Sequence, residues 1–114
     1  GVAPATALAA INNGSGRSLQ TQVRLPVEVL TGQFDYGFAI ELMLKDVRNA
    51  TALSSAQLGG ASTLLPAVEA LLARAVDDVG HGKDYTECVR HLENLAGRDL
   101  RQAVVAGLSL HMGS

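Results

Sequence analysis

The chain has 114 residues, 47% hydrophobic, 18% charged and 4% aromatic, with a formal net charge of −2; that is one domain with an aliphatic core, and too apolar to be disordered. Nine Lys and Arg against eleven Asp and Glu, with no basic run, exclude nucleic acid as the main ligand. No apolar stretch approaches the ~20 residues that span a bilayer, no signal peptide is visible, and Cys88, the single cysteine, has no partner for an internal disulfide, so a reducing cytoplasm is expected.

The periodicity is helical nearly throughout, and no period-2 run flanked by turn residues predicts a strand. Pro4 suits the first turn of a short helix through Ile11, which Asn12-Asn13-Gly14 ends. A second helix is predicted from Arg17 to Arg24, with Pro26 interrupting its continuation and Thr31-Gly32-Gln33 as a loop. Asp35 is the expected N-cap of the longest helix, Tyr36 to Leu58, stopped by Gly59-Gly60.

A fourth helix is predicted from Leu64 to Val79, with Pro66 in its first turn and Gly80 beyond its end. Asp84 and Glu87 have the spacing of a capping box for a helix running to Ala96 and ending at Gly97. Arg98 to Leu108 is a last short helix. The sum is an all-α bundle of five or six helices around one long central helix, with close helix contacts expected at Ala50, Ala52, Ala56, Ala70 and Ala73.

The most informative segment runs from Phe38 to Ala50. Steps of three, four and seven share a helix face, so Phe38, Leu42, Lys45 and Asn49 are expected on one stripe. Ile40, Met43, Leu44, Val47 and Ala50 form a second stripe suited to the core. Asp46 follows Lys45 at the edge of the first stripe. An aromatic ring, an ammonium and an amide on one stripe could meet a cofactor or substrate; a solvated Lys45 beside a core Phe38 explains the same residues.

Phe38, Leu42-Met43, Lys45-Asp46 and Ala50 resemble the F…LM-KD…A signature in the C-terminal helical domain of the β-hydroxyacid dehydrogenase family, which includes 3-hydroxyisobutyrate dehydrogenase and tartronate semialdehyde reductase. Asn13-Gly14-Ser15-Gly16-Arg17-Ser18 is similar to that family's SGRS loop. Pro26, Leu65-Pro66, Ala75, Gly80, Gly82 and Asp84 fall in the family's order, and the resemblance runs from about residue 1 to residue 97. It implies a fold like the C-terminal domain of 6-phosphogluconate dehydrogenase. It further implies a substrate-binding and dimerisation domain over residues 1–108, serving hydride transfer between NAD or NADP and a small 3-hydroxy acid or semialdehyde.

By that resemblance Lys45 and Asp46 are the cofactor-side residues and Phe38 packs at the nicotinamide and substrate. No residue of this chain matches the family's catalytic lysine, which would precede Gly1; Lys83 does not take its place. The G-x-G-x-x-G dinucleotide turn is also missing from these residues. The chain is therefore expected to be a piece of a longer protein, inactive alone, and homodimeric through this domain. Residues 109–114, with Met112-Gly113-Ser114, read either as a cloning remnant or as native tail.

Other constellations are weaker. Gly14 to Ser18 could cradle a phosphate, but it lacks the strand and lysine of a P-loop. Asp84, Cys88 and His91 share a helical face, yet have neither CxxC nor HxxxH spacing, and no metal is expected. No G-x-S-x-G supports a hydrolase. Two alternatives to the dehydrogenase reading are a free-standing helical interaction module and a relative of the imine reductases.

Overall fold

The computed structural model describes residues 1–101. Helix α1 spans Pro4–Asn12, with Pro4 in the first turn, where its missing N–H costs no ladder bond. None of its residues is buried, and it packs on the next helix in sequence.

That next helix, α2, spans Gln20–Val29 and is π-wound. It starts later than the predicted Arg17–Arg24 segment and runs straight through Pro26. Ser18 and Thr21 open it by exchanging bonds: Ser18 Oγ accepts from Thr21 N at 3.1 Å, and Thr21 Oγ1 accepts from Ser18 N at 2.9 Å. In a π-ladder each N–H reaches the carbonyl five residues back, so Pro26, having no N–H, leaves Thr21 O without its ladder donor. Asn12 Nδ2 donates to that carbonyl at 3.0 Å. The proline is tolerated because α1 supplies the missing hydrogen bond.

Helices α3 (Ile40–Leu58) and α4 (Leu64–Val79) pack together as a hairpin. Gly59 ends α3 at φ 59, a left-handed conformation that a side chain would strain. A 3₁₀ turn over Tyr85–Glu87 leads into α5 (Cys88–Ala96), which packs on α4. No strand forms among the described residues; the sole strand-like pairing there is an antiparallel bridge between Ala39 and Asp84. The all-helical expectation holds. Helical geometry resumes at Leu100 and Arg101, while the rest of the predicted Arg98–Leu108 helix and the 109–114 tail lie outside the described residues.

The core is Ile40, Leu44, Leu72, Ala75, Val76 and Tyr85, with Phe38, Met43, Val47, Ala73 and Cys88 packed against it. Two expectations need correcting. Ala50, Ala52, Ala56 and Ala70 are exposed, and Ala75 makes the close contact instead. The α3–α4 seam passes through the first half of α3, where Ile40, Leu44 and Val47 supply the apolar face; the later alanines lie beyond it. The long helix also begins at Ile40, not Tyr36. Asp35 does not cap it: Ala39 is the capping position, in extended backbone.

Candidate functional site

The start of α3 is held by the loop after α4. Ile40 N donates to Lys83 O at 2.8 Å and Tyr85 N donates to Phe38 O at 2.7 Å. Asp84 ties the two segments with its side chain. Its Oδ1 accepts from Gly37 N at 2.8 Å and Phe38 N at 3.2 Å; its Oδ2 accepts from Thr86 N at 3.1 Å and from Thr86 Oγ1. Burial pushes the Asp84 carboxyl up, but the bonds from Thr86, Gly37 and Phe38 outweigh it and hold the group below its ordinary value.

Gly37 sits at φ +100, where a side chain would be strained, next to its N–H bond to Asp84. Asp84 is the cap that its spacing predicted. Glu87 departs from the expected box: its carboxylate pairs with Arg90 at 3.2 Å. Glu41, in the first turn of α3, accepts from Gly82 N at 3.0 Å. Its own N–H and that of Gly82 hold its carboxyl below the ordinary range.

Phe38 stands on this tied segment, half-buried, with its ring edge-on to Tyr85 at 6.1 Å between centroids. It lines a cleft of about 410 Å³ together with Phe34, Asp35, Gly82, Lys83 and Asp84. Because α3 begins at Ile40, Phe38 precedes the helix and does not continue the predicted helical stripe. Leu42, Lys45 and Asn49 do share an exposed face of α3, and Ile40 and Leu44 are buried opposite. Lys45 and Asp46 are both exposed, with no hydrogen-bond or ion-pair partner among the described residues. The structure thus places Phe38 in the cleft and leaves Lys45 and Asp46 outside its lining.

A group that sequence reasoning missed lies beside Phe38. Tyr36 meets Tyr85 edge-on at 5.6 Å, and the Arg24 guanidinium lies 3.6 Å from the Tyr36 ring centroid. Tyr85 Oη donates to Gln20 Oε1 at 3.2 Å, joining this group to α2. These residues come from three segments, and no local spacing signals their meeting.

The remaining motifs have structural roles. Gly14 to Ser18 is a turn leading into the Ser18 cap of α2. His91 is buried and its Nδ1 meets Asp78 Oδ2 at 2.8 Å, away from Asp84 and Cys88. Burial, then the Asp84 charge, pushes the Cys88 thiol up, which suppresses its thiolate. No group of three His, Cys, Asp or Glu among the described residues is placed to hold a metal ion. No helix among them is long and apolar enough to cross a membrane.

Lys45 offers an unpaired ammonium on the open face of α3, and Phe38 an apolar ring on a tied segment. A family model described as NAD-binding of NADP-dependent 3-hydroxyisobutyrate dehydrogenase matches residues 1–92. A comparison with curated proteins found no match.

Proposed function

The chain belongs to the NAD-binding domain family of NADP-dependent 3-hydroxyisobutyrate dehydrogenase, and from that premise we propose that it is the C-terminal, substrate-binding and dimerisation domain of a cytoplasmic NAD(P)-dependent dehydrogenase. The reaction is hydride exchange between a nicotinamide and a small 3-hydroxy acid or its semialdehyde. The observation that carries this reading is the unpaired, exposed Lys45 on α3, seven residues after Phe38, inside the matched segment.

The bound nicotinamide supplies the hydride chemistry. Lys45 positions the cofactor electrostatically, as a compact cation against its anionic groups. Asp46, beside it, helps hold the cofactor-side surface. Phe38 excludes water from the reacting region and packs against the substrate. The Asp84 carboxylate fixes the backbone that carries Phe38, so the ring is held by a rigid segment. No residue of this chain is assigned the role of the family's catalytic lysine, so these 114 residues alone are expected not to turn over.

Exposed Leu53, Leu58, Leu64 and Leu95 supply apolar surface for a homodimer. The test is Lys45→Ala in the complete natural polypeptide that carries these residues. The reading expects a rise of tenfold or more in the dissociation constant for NADH or NADPH; unchanged affinity and turnover would overturn the assignment of Lys45.

A further inference from the structure

We propose that Arg24 binds an oxyanion at this same site, either a phosphate of the dinucleotide or the carboxylate of the hydroxy acid. The inference rests on the dehydrogenase reading above. Its own basis is the geometry around Tyr36.

Arg24 lies on α2, and its guanidinium carbon is 3.6 Å from the centre of the Tyr36 ring. A guanidinium this close over a ring is held there by the ring's π-face, and the attraction uses none of its N–H hydrogen-bond capacity. That capacity has no taker in the protein: no carboxylate lies within ion-pair distance of Arg24 among the described residues, and none of its side-chain N–H groups is donated there. The other two arginines beside aromatic rings differ. Arg90 and Arg101 stand 5.7 Å from the Phe34 ring, and each has a carboxylate near it, Glu87 and Asp99.

The lack of a partner follows from how α2 is built. Glu28 is four residues after Arg24, the spacing at which an α-helix forms an ion pair. The Glu28 carboxylate is instead buried, with Oε2 accepting from Asp35 N at 2.8 Å. Asp35 itself is exposed next to Tyr36 and forms no ion pair with Arg24. A guanidinium held over a ring is therefore kept free of its nearest carboxylates. Such a fork is matched to carboxylate and phosphate oxygens.

Its position adds the second argument. Tyr36 is joined edge-on to Tyr85, and Tyr85 to Phe38. Arg24 is thus the outer end of a chain of ring contacts whose inner end is the proposed nicotinamide-side residue. Half of Tyr36 is exposed, 47%, so the platform is open to a ligand arriving from solvent.

The experiment uses the complete natural polypeptide with Arg24→Gln and Arg24→Lys. Dissociation constants are measured for NADH and NADPH, and kcat and KM for oxidation of 3-hydroxyisobutyrate. Arg24→Gln is expected to raise one constant by tenfold or more: the cofactor dissociation constant if the anion is a phosphate, the acid's KM if it is a carboxylate. Arg24→Lys keeps the charge and the aliphatic stem and loses the planar fork, so it restores only part. It also serves if Arg24→Gln fails to fold. Wild-type constants within twofold in both variants, with Lys45→Ala still weakening cofactor binding, would overturn the Arg24 assignment alone. Absence of dinucleotide binding by the unsubstituted protein would overturn both.

Discussion

Asp84 Oδ1 accepts the N–H of Gly37 at 2.8 Å, across forty-seven positions of the chain. The same carboxylate also takes donors from Phe38 and Thr86. One side chain therefore caps the 3₁₀ turn before α5 and anchors the segment that leads into α3. Asp84→Ala leaves those N–H groups short of an acceptor and is expected to cost about 2 kcal/mol. Asp84→Asn keeps one acceptor oxygen and should cost less. Urea unfolding of both variants checks the order; equal stability of Asp84→Ala and the parent would remove Asp84 as the anchor.

The Asn12–Thr21 contact makes a prediction of a different kind. Asn12 Nδ2 bonds the carbonyl that Pro26 cannot serve. Asn12→Ala alone should destabilise by about 1 kcal/mol. Pro26→Ala supplies an N–H for the same carbonyl, so in its presence Asn12→Ala should cost much less. A double-mutant cycle by denaturant unfolding measures the coupling. Strict additivity would mean that Asn12 does not stand in for the proline.

Asp78 predicts a dependence on pH. Bonds from Asn94 and then His91 hold its carboxyl below the ordinary value, with burial opposing them. A lowered folded-state pKa gives stability that is fully present above the ordinary carboxylate range and is lost as pH falls through the lowered value. The stability gap between the parent and Asp78→Asn should therefore be largest near neutrality and close in acid. Urea midpoints taken from neutral to strongly acid pH measure it. A gap that widened on acidification would contradict the sign.

How much of this could be read beforehand differs by residue. Pro4, Gly59 and Asp84 act through local backbone chemistry, and each does what its position in the chain predicted. The start of α3 was not legible. Asp35 has the right type and spacing for an N-cap, but the Glu28 carboxylate takes its N–H and Asp84 holds Gly37 and Phe38 outside the helix. Those partners are remote in sequence, and local propensity yields to them. Pro26 misled for the same reason, since its compensating donor lies on another helix. The candidate site divides along this line. Lys45 could be placed on an exposed helical face from spacing alone, whereas the Arg24–Tyr36–Tyr85 group needed the fold to assemble it.

Lys45 and Lys83 stand in different surroundings. Lys83 lines the cleft with Phe38, and its backbone carbonyl accepts from Ile40 N. By position it is the more tempting cation. Lys45 stands outside the cleft lining, on the open face of α3. Yet the backbone of Lys83 already has a structural task that any side chain permits, and the cleft it lines is also lined by Asp35, Asp84 and Glu87. Those carboxylates disfavour the cofactor's phosphates at Lys83, whereas no carboxylate is paired with Lys45. Lys45→Ala is therefore expected to weaken dinucleotide binding by tenfold or more, about 1.4 kcal/mol, and Lys83→Ala by less than threefold. Fluorescence titration with NADH and NADPH compares them in the complete polypeptide. The reverse order would move the cofactor's anionic groups from the open face of α3 to the cleft lined by Lys83.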